Sequence, residues 1–418
     1  MNFDYIVVGA GSAGCAIAAR LSADPAVSVA LVEAGGTDDS AFIRAPLGFA
    51  LGGRLPLHAV HYHTEPQPGL GGRRGFQPRG RVLGGSSAVN AMIYCRGNRA
   101  DYDGWAALGN PGWDYASVLE LFKRAEDSAC FGANAWHGAG GPLGVDWPRT
   151  RFASIEAFLA ACESQGLART ADYNGAEQDG CQRAQVTQRG GERCSAARAY
   201  LAPHRARANL AILSRASALS ITFEGQRASG LVIARGGHEE TLVARREVIL
   251  SCGAYGSPQL LMCSGLGPAA ALRALGIPVR ADLPGVGRNL QDHITASLNW
   301  RSPRGPAAGF GISFRGALHI LRGIGEWRRT RSGPLTSNVA EALAFLRTQP
   351  TLAAPDIELE LVTAMVEDHA RKLRLGHGYG VHVTLLTPES RGELRLASAD
   401  ARDAPPSTRR GMSAGAEK

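Results

Sequence analysis

The sequence predicts an α/β protein. A parallel sheet of βαβ units carries a β-meander, and a second, mostly antiparallel sheet stands beside it. Three observations carry this. Residues 5–8 are a short apolar run, Gly9, Gly11 and Gly14 follow in the pattern G-x-G-x-x-G, and small residues over 15–21 suit a helix packed on a sheet. Four runs, 210–214, 218–223, 230–235 and 247–251, read as strands, and Glu224-Gly225 and Gly236-Gly237 punctuate them as in a meander. Ile357-Glu-Leu-Glu-Leu361 alternates strictly, which predicts a strand with one buried and one wet face, partnered by 381–386.

Each part of the opening unit has a physical job. An apolar run with β-branched residues suits a strand buried on both faces. Gly9 permits a tight turn, Gly11 lets backbone approach a pyrophosphate, and Gly14 lets helix and strand come close. The helix start offers unpaired N–H groups and a partial positive charge, where an anion is stable. A second apolar run, 27–32, ends in Glu33, whose carboxylate is placed to accept from both hydroxyls of an adenosine ribose. It would repel a 2′-phosphate, which disfavours NADP. The unit by itself leaves NAD and FAD open, and a βαβ unit without any ligand is the plain alternative.

The 418 residues allow two domains, or one large domain with insertions. No apolar run is long enough to cross a bilayer. The first strand begins where a secretory leader would need its charged and apolar regions, so a cytoplasmic location is expected. The eight cysteines form no C-x-x-C pair, which points to buried free thiols rather than a zinc or redox site. The net charge of +8 is almost all arginine, and no aromatic-plus-basic module accompanies it, so no nucleic-acid partner is expected. His61 and His63 share one face of a strand. They read as a structural pair rather than half a metal site, because no third ligand lies nearby.

The second informative stretch is Pro78-Arg-Gly-Arg-Val-Leu-Gly-Gly-Ser-Ser-Ala-Val-Asn-Ala-Met-Ile-Tyr-Cys-Arg-Gly97. Gly84 and Gly85 leave no side chain in the way, so a flat ligand can lie against backbone. Ser86 and Ser87 are expected to cap a helix starting there. Asn90 offers a donor and an acceptor to a heteroaromatic edge. A glycine hinge before a core helix is the plain alternative. Continued through Asn98-Arg-Ala-Asp-Tyr-Asp-Gly-Trp105, the stretch closely resembles the first fingerprint of the glucose–methanol–choline (GMC) oxidoreductases. Gly253-Ala-Tyr-Gly-Ser-Pro-Gln-Leu-Leu-Met-Cys-Ser-Gly-Leu-Gly267 resembles their second, and Gly285-Val-Gly-Arg-Asn-Leu-Gln-Asp-His293 follows it as in the family. The resemblance runs over residues 1–404 and is nearest to choline-dehydrogenase-like members.

The resemblance implies a discontinuous, Rossmann-type FAD-binding domain over 1–150 and 206–300, and a substrate-binding domain over 151–205 and 301–395. It implies FAD rather than NAD. Gly9, Gly11, Ser12, Ala13 and Gly14 would hold the pyrophosphate, and Glu33 with Ala34 the ribose. Arg81, Val82, Leu83, Gly84 and Gly85 would line the flavin, with Asn90, Ala91, Met92 and Ile93 beside the isoalloxazine ring. Ala218 would lie near the adenine, and Gly253, Ala254, Asp292 and His293 near the flavin. Val89 stands where some relatives carry a histidine that attaches FAD covalently, so non-covalent binding is implied. The implied reaction is oxidation of the CH–OH group of a primary alcohol, choline-like or other, by hydride transfer to flavin N5. Oxygen or a quinone would be the electron acceptor.

Elsewhere the spacing predicts helices over 115–126 and 154–165 and a loop over 131–148. Pro258 is expected in the first turn of a helix ending near Ser264. Phe314, Leu318, Leu321, Ile324 and Trp327 recur at helical spacing beside Arg315, Arg322, Arg328, Arg329 and Arg331. Such a helix either lies on a membrane surface, at most a peripheral contact, or caps the substrate domain. After Pro405 the resemblance stops, and 396–418 is expected to be a disordered, aberrant tail. The family's segment with the catalytic histidine finds no match, so no catalytic residue is assigned. A general base at the flavin is worth ~10²–10⁴-fold. A truncated or frameshifted remnant that at most binds FAD is therefore the alternative to an active enzyme.

Overall fold

Two six-stranded sheets organise the chain. The structure, a computed structural model, describes residues 1–52, 58–372 and 374–408. In the first sheet Asn2–Val8 pairs in parallel with Val29–Glu33 on one side and with the second half of His238–Leu250 on the other. Leu210–Ser214 adds in parallel beyond Val29–Glu33. The register sets Val8 beside Val32 and Leu250, and Ser214 beside Glu33, so four strands end together. Ligands of open parallel sheets bind in the crevice outside such carboxyl ends.

The apolar runs are buried on both faces, as their continuity requires. Ile6, Val8 and Val32 join one core with Leu231, Ile233 and Leu242. Val7 and Leu31 join the other with Cys15, Ala18 and Leu201. The meander is Ala216–Glu224, Arg227–Arg235 and His238–Leu250, all antiparallel. Its third strand is 13 residues long rather than the short 247–251 expected. Residues 238–243 serve the meander and 243–250 the parallel sheet. The polar run His238-Glu-Glu-Thr gave no apolar signal for the first half.

The second sheet runs Ile294–Arg301, Gly376–Leu385, Ile357–Val362, Ala340–Leu346 and Gly180–Arg183, with Gly311–Ile312 paired to Gly376–Leu385. Ala342, Ala344 and Leu361 pack on Ile155, Leu159 and Cys162 of the Ala153–Ser164 helix. Leu343 and Phe345, on the opposite face, pack on Met92 and Tyr173. Ile357-Glu-Leu-Glu-Leu361 alternates between these faces, but its expected wet side is half-buried. Burial, and then Glu360, push the Glu358 carboxyl up to about 7.

Several local expectations need correction. Residues 85–88 form one 3-10 turn, not the start of a longer helix. Its hydroxyls are used elsewhere: Ser86 Oγ accepts from Gly80 N, and Ser87 Oγ donates to Gly84 O and accepts from Ala196 N. The Gly253–Cys263 helix begins five residues before Pro258, which therefore sits inside it rather than in its first turn. Within the expected loop 131–148, Leu143–Val145 pairs with Glu126–Ser128, and His137 is fully buried between Glu126 and Asp172.

The disorder expected from 396 does not begin there. Ser407–Thr408 pairs with Glu393–Leu394, and the buried Ser407 hydroxyl meets Tyr255 Oη at 3.0 Å. Residues 409–418 lie outside the described residues. All eight cysteines are free; Cys15, Cys162, Cys181 and Cys194 are buried as expected, but Cys130, Cys252 and Cys263 are half-buried and Cys95 is exposed. The Phe314–Thr330 helix buries Trp327, whose Nε1 donates to Gly191 O, while Phe314 is 85% exposed. Among the described residues no helix is long and apolar enough to cross a membrane. The rings of His61 and His63 both pack against Phe76.

Candidate cofactor site

Three glycine-bearing segments meet at the strand ends. Ser251 N donates to Val8 O at 2.8 Å, and its hydroxyl contacts Val8 O and Gly9 O at 2.9 and 2.7 Å. Gly84 N donates to Ala10 O at 2.8 Å, and Leu83 N to Gly36 O at 2.9 Å. A Cβ on Gly85 would sit 2.7 Å from Gly11 Cα. Residues 9–14, 81–85 and 251–254 thus meet backbone to backbone at the strand ends, where open parallel sheets place their ligand crevice.

The glycines of the triplet do not all serve the same end. A Cβ on Gly9 would meet Ser251 O at 2.6 Å, and one on Gly14 would meet Gly9 O at 1.9 Å. The fold itself demands those two. A Cβ on Gly11 would meet only Ser251 O at 3.9 Å, an ordinary contact, so the fold leaves space for a side chain there. That space lies at the N-terminus of the Ser12–Leu21 helix, where Ser12 and Ala13 are exposed and no side chain caps the turn. Gly253 and Ala254 are likewise exposed at the uncapped start of the Gly253–Cys263 helix. Unpaired N–H groups at two helix starts suit an anionic ligand. The cradle therefore fits a pyrophosphate.

Glu33 is 7% exposed, and its carboxylate is shared with the backbone. Oε2 accepts from Ala10 N at 3.0 Å and Oε1 from Gly35 N at 2.8 Å. Burial pushes this carboxyl up, opposed by those two N–H groups and then by Arg81. Each oxygen keeps a further lone pair for a ribose hydroxyl. The side chain thus shapes the glycine turn, a role the sequence did not reveal. Ala34 follows it in the same turn, ahead of Gly35, where a Cβ would strike Arg81 O at 1.9 Å. Arg81 reaches Ser217 Oγ at 3.2 Å, beside Ala218 on the meander.

Asn90 is exposed, and its Oδ1 accepts from Arg193 Nη1 at 3.0 Å and Met92 N at 3.1 Å. Its amide nitrogen is left to donate outward. Ala91 O accepts from Asn338 Nδ2 at 2.9 Å, and Ile93 bridges to Val186, which ties this run to the second sheet. Met92 is buried with φ of +60°. Val82 and Leu83 are buried beneath the crevice. Asp292 and His293 stand farther out: Asp292 Oδ2 is 4.0 Å from Arg79, whose guanidinium lies over the Tyr255 ring, and His293 is exposed.

Sequence reasoning missed Ser251, Asn338 and Arg193. Ser251 is one of many serines, and nothing local marks its hydroxyl as the link between two strand ends. Arg193 is hidden among many arginines, and its partners lie about a hundred residues away in sequence.

The fold and crevice define a Rossmann-type nucleotide-binding protein with a substrate sheet attached. The chain belongs to the GMC oxidoreductase family, whose model matches residues 3–295. It is 41% identical over 409 residues to an alcohol dehydrogenase [acceptor] of Pseudomonas putida, covering 96% of this chain and 73% of that protein. It is 40% identical over 402 residues to an oxygen-dependent choline dehydrogenase of Sinorhizobium fredii, covering 96% and 72%. Among solved structures, pyridoxine 4-oxidase from Mesorbium loti superposes with a TM-score of 0.87 at 30% identity, over 100% of this chain and 77% of that one. A formate oxidase of Aspergillus oryzae superposes with a TM-score of 0.87 at 25% identity, over 97% and 76%. The family is FAD-dependent, and by family this chain is an oxidoreductase.

Proposed function

We propose that the chain binds FAD non-covalently and oxidises the CH–OH group of a primary alcohol. The observation that carries the cofactor is Gly11, which no neighbour among the described residues requires to be glycine and which stands at the uncapped start of a helix. Gly11, Ser12 and Ala13 would take the pyrophosphate, with Gly9 and Gly14 shaping the turn beneath. Glu33 and Ala34 would take the ribose, and Ala218 would flank the adenine. Arg81 through Gly85, Asn90 through Ile93, and Gly253-Ala254 would enclose the flavin, with Asp292 and His293 at its rim. Val89 carries no nucleophile, which supports non-covalent binding.

When bound, the flavin supplies the hydride acceptor. The chain's own residues orient it: Asn90 offers its amide N–H, and the Gly253 helix start offers backbone N–H groups. The second sheet closes the other side through Leu343 and Phe345 against Met92. An alcohol substrate is supported by the relatives' names, one of which prints an unspecified acceptor and the other oxygen dependence; oxygen or a quinone is the acceptor proposed for this chain.

A second reading, flavin binding without turnover, is favoured by the engagement of the histidines on the substrate sheet. His377 is bonded to Ser313 Oγ and Gly309 O, and His382 faces Glu360 at 3.6 Å. The purified chain, mixed with FAD and then with a primary alcohol without oxygen, separates the readings. Flavin that binds and is bleached by alcohol supports the enzyme. Flavin that binds and stays yellow supports the second reading, and no binding overturns both.

A further inference from the structure

We propose that Arg193 is a positioning residue for the bound flavin, bracing the 85–90 turn from behind and setting an unpaired positive charge beneath it. This rests on the reading that FAD lies against that turn. Arg193 is 1% exposed. Its Nε donates to Ile43 O at 3.1 Å, and its Nη1 to Ser87 O at 3.2 Å and Asn90 Oδ1 at 3.0 Å. Nη2 is buried with no hydrogen-bond partner.

No carboxylate neutralises this charge among the described residues. The adjacent Glu192 is taken by Arg44, Arg198 and Arg331 at 3.2, 3.0 and 3.0 Å. Successive residues of a strand point to opposite faces, so Glu192 turns away from Arg193. Burial pushes the guanidinium down to about 9. An unpaired buried ion is destabilising, and the three carbonyl oxygens it meets do not by themselves require a full charge.

The rest of the segment braces the same turn. Ala196 N donates to Ser87 Oγ at 2.9 Å, and Ser195 Oγ lies 3.3 Å from where a Gly84 Cβ would stand. A π-helical turn follows at Ala197–Leu201, a feature that often marks functional sites.

The charge has a counterpart in the reaction. The alcohol carbon gives up a hydride, two electrons with one proton, to the ring and becomes the aldehyde carbon, while the hydroxyl proton leaves to solvent. The transferred hydride would add one negative charge at the flavin site. A fixed cation beneath it favours the reduced over the oxidised form.

The test uses the full chain with FAD, comparing wild type with Arg193→Met and Arg193→Lys. Flavin affinity is measured by titration, and the midpoint potential by equilibration with a dye of known potential. Arg193→Met is expected to lower the reduced-to-oxidised ratio tenfold or more, about 30 mV for a two-electron couple. Arg193→Lys keeps the charge and loses the planar fork. It is expected to hold the ratio within threefold while weakening FAD binding at least threefold.

A wild-type potential in Arg193→Met overturns the inference. Should that variant fail to fold or to hold flavin, Arg193→Lys decides alone: wild-type affinity, or a ratio shifted tenfold, overturns it. Wild-type protein that takes up no flavin instead overturns the functional reading from which the inference starts.

Discussion

Glycine at position 11 and glycine at position 14 answer to different demands, and substitution separates them. Gly14→Ala drives a methyl against Gly9 O and is expected to destabilise the apo-protein by about 1–3 kcal/mol, measured by urea unfolding. Gly11→Ala meets only Ser251 O at an ordinary 3.9 Å, so apo stability should change by less than about 0.5 kcal/mol. Glu33 couples both demands. Glu33→Gln replaces one accepting oxygen with an N–H₂ group facing Ala10 N or Gly35 N. It should cost about 1–3 kcal/mol in the apo-protein as well as weakening FAD binding. Unchanged apo stability would show that the carboxylate serves the ligand alone. The triplet and Glu33 were legible because backbone approach and φ above zero leave glycines at fixed spacing. Arg193 was not, because a buried arginine and a surface one look alike until the chain is folded.

Elements were legible where one period ran unbroken. The helices Tyr115–Ala125 and Ala153–Ser164 end within one residue of expectation. The strand His238–Leu250 was half hidden by its polar start, and the 85–88 turn was overread because its two serines look like caps. The 131–148 segment reads as loop in the sequence, since its order comes from a buried charge cluster. His137 Nδ1 meets Glu126 at 2.9 Å, Nε2 meets Asp172 at 2.7 Å, and Arg96 joins Glu126 at 2.9 Å. Burial alone would lower the imidazole pKa from 6.5. Asp172 and Glu126 outweigh it and push it up to about 9.

The cluster sets a pH window. A raised histidine contributes its full stability below pH 6.5 and loses it as pH rises through about 9. Glu126 and Asp172 are held low despite burial, chiefly by His137, so their contribution is lost as pH falls through the acid range. The thermal midpoint should therefore decline from pH 6.5 to 9, measured by scanning calorimetry. His137→Asn should flatten that decline and cost about 3–5 kcal/mol near neutrality. A wild-type midpoint flat across pH 6.5 to 9 would sink the assignment of a charged imidazole.

At the scale of the molecule, the two-sheet plan followed from local patterns, but its seam did not. Ile294–Arg301, nearly all of it in the 206–300 segment that the resemblance gives to the FAD-binding domain, pairs with Gly376–Leu385 in the antiparallel sheet, some eighty residues onward. Asn338 and Val186 bring Ala91 and Ile93 to that sheet, a contact no single stretch could announce. The proposed function turns on the strand-end junction where residues 9–14, 81–85 and 251–254 meet. Equilibrium dialysis of FAD against wild-type protein and Gly11→Ala tests it most directly. The expected result is one flavin per chain for wild type and at least tenfold weaker binding for the variant. Equal affinity in both, or no flavin bound by either, would contradict the account.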